Sequence, residues 1–242
     1  MQAVIFDLDQ TLLDRVKSLQ DFLSWQCEGM LRPYVEDQAA FISRFVELDA
    51  NGTVWKDKVY SSLIAEFDIE SWSSSELLAV YESCFCAFCV PMPGVLDALT
   101  DISTRFKPGM ISNGMSPFQE RNFRSLGVAS LFSSAIVSAA VNLRKPDSAI
   151  FHLACSELSV RPDEAFYVGD NPIADIEGAR DAGLRTIFIP SAAHPQCLTA
   201  NATCTDMRQL PELLDKTENK PLHPTAGNAH FEFGLPSPPW MS

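Results

Sequence analysis

The chain has 242 residues, 46% of them hydrophobic and 20% charged, which is enough to bury one large core, or one core and a smaller second domain. A formal charge of −13 and a pI near 4.6, with no basic stripe to offset them, oppose a phosphate backbone and exclude nucleic acid as an expected partner. No apolar run approaches the roughly 18 residues of a membrane span, and the start MQAVIFDLDQ lacks the basic region of a signal peptide.

With seven cysteines, an odd number without the framework of a small secreted domain, a reducing cytoplasmic setting is expected. The sequons at Asn51 and Asn201 carry no meaning there. A phosphorylated small molecule remains compatible with an acidic chain if a metal ion and a lysine reverse the field locally.

The first predicted element is a buried strand over Ala3–Phe6. Four more follow: Gly109–Ile111, Ser134–Val137, Ala165–Val168 and Thr186–Ile189. All are short and apolar without alternation, as in a parallel sheet covered on both faces. Helical stretches are expected over 117–126, 147–158 and 173–182. From residue 105 onward strand and helix therefore alternate, which predicts a doubly wound, Rossmann-like α/β sheet.

Between the first two strands, about residues 15–90 have another texture. Leu19, Phe22, Leu23 and Cys27, then Val59, Leu63 and Phe67, then Leu77, Tyr81, Phe85 and Phe88 recur at helical spacing, which predicts an inserted all-helical domain. The core is then 1–14 with 91–215. The proline-rich stretch 216–242 is expected to be a poorly ordered tail.

Chemistry gathers at the carboxyl ends of the strands. Asp7 and Asp9 follow the first strand and point to one side of the sheet edge where ligands bind in such folds. Two carboxylates so close call for a cation or a shared proton, although the pair alone serves equally as a turn cap. Ser112-Asn113-Gly114 ends the second strand, with Ser116, Pro117 and Gln119 read as N-cap, first helical residue and capping box. Lys145 precedes Pro146 at an expected helix start, where a cation is unfavourable unless an anion binds. Asp170, Asn171 and Asp175 follow the fourth strand, Asp175 in a first helical turn where a carboxylate also favours the dipole. Four carboxylates around one lysine at a single edge call for a metal.

In order, DLDQT, SNG, RKP and GDNPIAD resemble the four motifs of the haloacid dehalogenase-like phosphatases, over about residues 1–215. The resemblance implies a Rossmann-like core with a mobile helical cap over the substrate, and a Mg2+-dependent phosphatase acting on a small phosphorylated metabolite. Carried over by position, Asp7 resembles the nucleophile and Asp9 the general acid/base. Asp7, the backbone carbonyl of Asp9 and Asp170 resemble the magnesium ligands. Thr11, Ser112, Asn113 and Lys145 match positions that hold the phosphoryl group or orient the acid, and Asp175, with Gly114 and Asn171, is similar to supporting positions.

A phosphomutase would use the same residues. A 2-haloacid dehalogenase would dispense with Asp9, and a non-catalytic binding protein would need none of them. Cys84, Cys86 and Cys89 read as packing within an apolar helix rather than a zinc site. The four histidines have no recognisable partners, and Lys56 and Lys58 read chiefly as a solvated helix face.

Overall fold

The computed structural model describes residues 1–218. Five strands, β1 (Ala3–Phe6), β2 (Lys107–Ser112), β3 (Ser134–Val137), β4 (Ala165–Gly169) and β5 (Arg185–Phe188), with a two-residue β6 (Ala202–Thr203), form one sheet of order β3-β2-β1-β4-β5-β6. Every pairing is parallel. The fold is a doubly wound, Rossmann-like α/β sheet. The chain builds outward from β1 to β2 and β3, then crosses to β4 on the other side, so β1 is the switch point at which such sheets open a ligand crevice.

The strands are buried on both faces, which is why they read as continuous apolar runs. Val4, Phe6, Met110, Val168 and Ile187 pack one face against α5 (Val95–Ile102), α6 (Phe118–Ser125) and α10 (Leu210–Glu218). Ala3, Ile5, Ile111 and Tyr167 pack the other against α8 (Ser148–Glu157) and α9 (Gly178–Asp181), through Ile150, Phe151, Ala154 and Ala179. Each such side chain fully removed from water contributes on the order of 1.5–3 kcal/mol. A short α7 (Ser138–Val141) follows β3.

Between β1 and α5 the chain is helical: α1 (Arg15–Gln26), α2 (Gln38–Asp49), α3 (Lys56–Glu66) and α4 (Ser74–Cys84). Asp14 and Asp37 cap α1 and α2 by accepting the amides of Lys17 and Ala40, and Ser73 with Glu76 forms a capping box on α4. Such caps supply orphan N–H groups with acceptors. Leu19, Phe22, Phe41, Phe45, Tyr60, Leu63, Leu77 and Tyr81 bury one another in a separate apolar cluster. Phe118 of α6 stacks on Tyr81 with centroids 5.2 Å apart, joining this cluster to the sheet layer.

Several local readings change. Phe85–Phe88 is a 3-10 turn after α4, and Cys84, Cys86 and Cys89 are half-buried free thiols around it. Helix α10 runs through Glu218, with Thr217 fully buried and Glu218 paired to the N-terminal amine, so residues 216–218 belong to the core layer; 219–242 lie outside the described residues. Among the described residues no helix is long and apolar enough to cross a membrane.

Candidate active site

Asp7 is the first residue beyond β1, and its amide donates to the Val168 carbonyl at 2.9 Å. Strand register sets Phe6 beside Met110 and Val168, so Asp7, Ser112 and Asp170 emerge from neighbouring strand ends. Lys145 reaches them from the loop before α8. Its Nζ donates to Asp7 Oδ1 at 2.5 Å, Asp175 Oδ1 at 2.7 Å, the Tyr167 hydroxyl at 2.8 Å and the Ile111 carbonyl at 3.1 Å.

Burial pulls the Lys145 ammonium down, but Asp175 and Asp7 outweigh it and push it up to about 12. It is a permanent charge, and it lies inside the carboxylate cluster rather than on a helix terminus. Pro146 likewise does not open α8, which starts at Ser148 with Asp147 as its cap. Asn113 fixes the lysine's backbone from both sides: its Nδ2 donates to the Lys145 carbonyl at 2.9 Å and its Oδ1 accepts the Lys145 amide at 3.0 Å.

Carboxylate oxygens of Asp7, Asp170 and Asp175 lie within 4.8 Å of one another. Asp175 comes from a π-helical turn, Pro172–Glu177, whose cap is Asn171; its Oδ2 accepts the Asn171 amide at 2.9 Å. Gly169 makes this possible, since a Cβ there would lie 2.5 Å from the Asp175 carboxyl. Burial raises Asp7 well above the ordinary carboxylate range. Asp170 is pushed up to about 6 by burial and then by Asp175, with His194 Nδ1 4.0 Å away.

Three carboxylates against one ammonium leave two formal negative charges. Hard oxygen donors with that residual charge fit a divalent cation of the magnesium class.

Asp9 lies beside this group, not within it. Its Oδ2 accepts from Gln119 Nε2 at 2.8 Å, and Asn122 Nδ2 in turn donates to Gln119 Oε1 at 3.1 Å, which fixes which way the amide faces. Gln119 is therefore not the end of a capping box. Pro117 occupies the N-cap position of α6 and Ser116 donates to Glu120 at 2.6 Å. Gly114 leaves room for Gln119, whose Cγ a Cβ would meet at 2.6 Å; its amide is held by Ser138 Oγ at 3.0 Å.

Two hydroxyls, Thr11 Oγ1 and Ser112 Oγ, are buried without a hydrogen-bond partner. A buried orphan costs about 1–3 kcal/mol; Ser112 lines the site's cavity, so its hydroxyl stands ready for a ligand oxygen, whereas Thr11 is not on that wall. A cavity of about 520 Å³ joins the set: Asp7, Asp9, Ser112, Asn113, Lys145 and Asp170 line it, as do Arg15, Lys56 and Tyr81 from the helical layer. Lys56 is thus buried, not solvated. Sequence reasoning missed Tyr167 and Arg15, read Gln119 only as a capping residue, and favoured a solvated face for Lys56. Only Tyr167 left a signal, a hydroxyl inside a buried strand that requires a polar partner.

The sequence pattern of the haloacid dehalogenase-like hydrolases matches residues 4–189. The chain is 26% identical over 230 residues to a pyrimidine 5'-nucleotidase of Escherichia coli (strain K12), covering 88% of this chain and 97% of that one. It is 30% identical over 194 residues to an N-acetylmuramic acid 6-phosphate phosphatase of Pseudomonas putida (strain KT2440), covering 78% and 82%. Among solved structures, a 2-haloacid dehalogenase from Pseudomonas syringae pv. Tomato superposes with a TM-score of 0.57 at 25% identity, covering 89% and 99%. With four motifs gathered at one sheet edge and a pattern match across most of its length, this chain belongs to the haloacid dehalogenase-like hydrolase family.

Proposed function

We propose that this hydrolase is a magnesium-dependent phosphatase that cleaves a small phosphorylated metabolite through a phosphoaspartate on Asp7. The observation that carries the reading is a carboxylate held by a permanent ammonium, Asp7 on Lys145, on the same cavity wall as the orphan hydroxyl of Ser112. That set offers a nucleophile, a neutralising charge and a donor for an equatorial oxygen, the needs of phosphoryl transfer. Relatives named for phosphatase and nucleotidase activity support it.

In the first displacement an Asp7 oxygen attacks phosphorus in line and the P–O bond to the leaving alcohol breaks. Asp9, aimed by Gln119, gives that alcohol its proton. In the second, Asp9 takes a proton from water as it attacks the phosphoaspartate, releasing inorganic phosphate and restoring Asp7. Lys145 stays charged throughout and offsets the developing negative charge. Magnesium, held by Asp7, Asp170 and the Asp9 carbonyl with Asp175 in support, would supply further charge neutralisation.

Attack on a haloacid carbon, the reaction named for the dehalogenase relative, expels a halide that needs no proton, so Asp9 and its Gln119–Asn122 support would be idle. The test is phosphate release from p-nitrophenyl phosphate and from an alkyl phosphate, beside chloride release from 2-chloropropionate. Phosphate and no chloride are expected. Asp7→Asn should abolish turnover and phosphoenzyme. Asp9→Asn should cost roughly 10²–10⁴-fold on the alkyl ester and less on the nitrophenyl ester, whose leaving group needs no proton. Equal losses on both esters would remove Asp9 from the acid role, and chloride release would replace the phosphatase reading.

A further inference from the structure

The helical layer's share of the cavity wall is cationic. Arg15 opens α1 and Lys56 opens α3, and both line the cavity while the carboxylate that pairs them, Asp49 at the end of α2, does not. Both Asp49 oxygens accept from Arg15 Nη2, at 3.1 and 2.8 Å. Asp49 also pairs with Lys56 Nζ and accepts the Gly52 amide at 2.8 Å. With side-chain exposures of 15%, 2% and 4% for Arg15, Asp49 and Lys56, all three are withdrawn from bulk water.

Two cations thus share one saturated carboxylate, and one formal positive charge is left over. Buried charge is ordinarily paired. Asp9 is close enough for its charge to act on both Arg15 and Lys56, but its own hydrogen bond goes to Gln119 and it forms no ion pair within the described residues. The loop that encloses Arg15 is built for this place: Ala50, Asn51 and Gly52 all have positive φ, and a Cβ on Gly52 would lie 3.2 Å from Arg15 Nη2. Non-glycine residues in that region persist only where the surroundings hold them there.

Sharing one cavity wall with Asp9 decides what the charge faces, because the group that protonates the leaving alcohol must lie beside it. We infer that Arg15 and Lys56 form a subsite for an anionic group, a carboxylate or a second phosphate, carried by the leaving-group part of the substrate. The preferred esters are then phosphorylated acids or bisphosphates rather than phosphates of neutral alcohols. This rests on the phosphatase reading above. Of the substrates named for the relatives, it sides with the acids, N-acetylmuramic acid 6-phosphate and phosphoserine, against glyceraldehyde 3-phosphate and a pyrimidine nucleotide, whose leaving groups are neutral.

The experiment compares kcat/KM within two matched sets: glycerol 3-phosphate, 3-phosphoglycerate and glycerol 1,3-bisphosphate; glucose 6-phosphate, 6-phosphogluconate and fructose 1,6-bisphosphate. In at least one set an anionic member should exceed the neutral one by tenfold or more, and which member wins separates carboxylate from phosphate. Arg15→Gln and Lys56→Met should each shrink that ratio at least tenfold, chiefly through KM, and Arg15→Lys should restore part of it.

The wild-type comparison stands even if a variant does not fold: neutral esters equal to or better than anionic ones in both sets overturn the subsite. So do variants that lower both kinds of ester alike. p-Nitrophenyl phosphate reads the chemistry alone. If wild type fails to hydrolyse it, the phosphatase reading falls and the subsite with it; if it is hydrolysed without an anionic preference, only the subsite falls.

Discussion

Lys145 concentrates the site's electrostatics in one side chain. Four acceptors surround its Nζ, so removing it leaves Asp7 and Asp175 buried without their cation, a change typically costing about 3–5 kcal/mol. Lys145→Met should therefore lower metal-free stability by several kcal/mol in urea unfolding and reduce phosphatase activity by at least roughly 10²-fold, the scale of losing one charge-stabilising donor. Lys145→Arg should rescue little, because a planar fork cannot aim at four acceptors spread around a point. Full activity in Lys145→Met would separate this lysine from phosphoryl transfer. The RKP string made Lys145 visible in the sequence, but only as a cation before a helix. Its real partners come from residues 7, 111, 167 and 175, and no local pattern carries such separations. Arg15, Asp49 and Lys56 were hidden for the same reason: each opens or closes a different helix, where a charge ordinarily means solvent.

The strands were legible because burial on both faces writes an uninterrupted apolar run. Their helices followed from the alternation of type. Among the elements that stayed hidden, two have thin signals: α2 buries only Phe41, Phe45 and Asp49, a stripe that ends on a carboxylate, and β6 has two residues. The β4 end shows how an element sets chemistry. The π-helical turn after it swings Asp175 under the strand, and Gly169 is the gap it enters. In Gly169→Ala the new methyl group must displace the Asp175 carboxyl 2.5 Å away. An overpacking cost of about 1–3 kcal/mol is expected, together with at least a tenfold weaker magnesium affinity by calorimetry, because Asp175 also positions Lys145. Unaltered magnesium affinity would show that Asp175 is not needed in place.

At the scale of the whole molecule, a chain of formal charge −13 gathers three carboxylates and one lysine at a single sheet edge, and that makes stability depend on pH and metal together. Without metal, Asp170 is raised to about 6 and Asp7 is raised well above the usual range, both chiefly by burial. The unfolded chain ionises these groups near 3.8, so the folded state binds more protons. Their contribution is full below that pH and is lost as pH rises through the folded values. The exposed acids Glu66, Glu76 and Asp163 are lowered by their hydrogen bonds and act in the opposite direction, so the clean quantity is wild type minus Asp170→Asn. In chelator, that difference in Tm should fall between about pH 4 and pH 7. Magnesium should reverse it, since it favours the ionised carboxylates that protons compete for. At about 100 times its Kd an ion bound only to the folded state adds ~2.7 kcal/mol, or about 5–10 °C at this chain length. That gain should be small at pH 5, large at pH 8 and mostly absent in Asp170→Asn. Thermal melts at both pH values, with magnesium and with chelator, make the check. An equal magnesium gain at pH 5 and pH 8, or an undiminished gain in Asp170→Asn, would mean that the ion binds elsewhere and that the three carboxylates hold only their lysine.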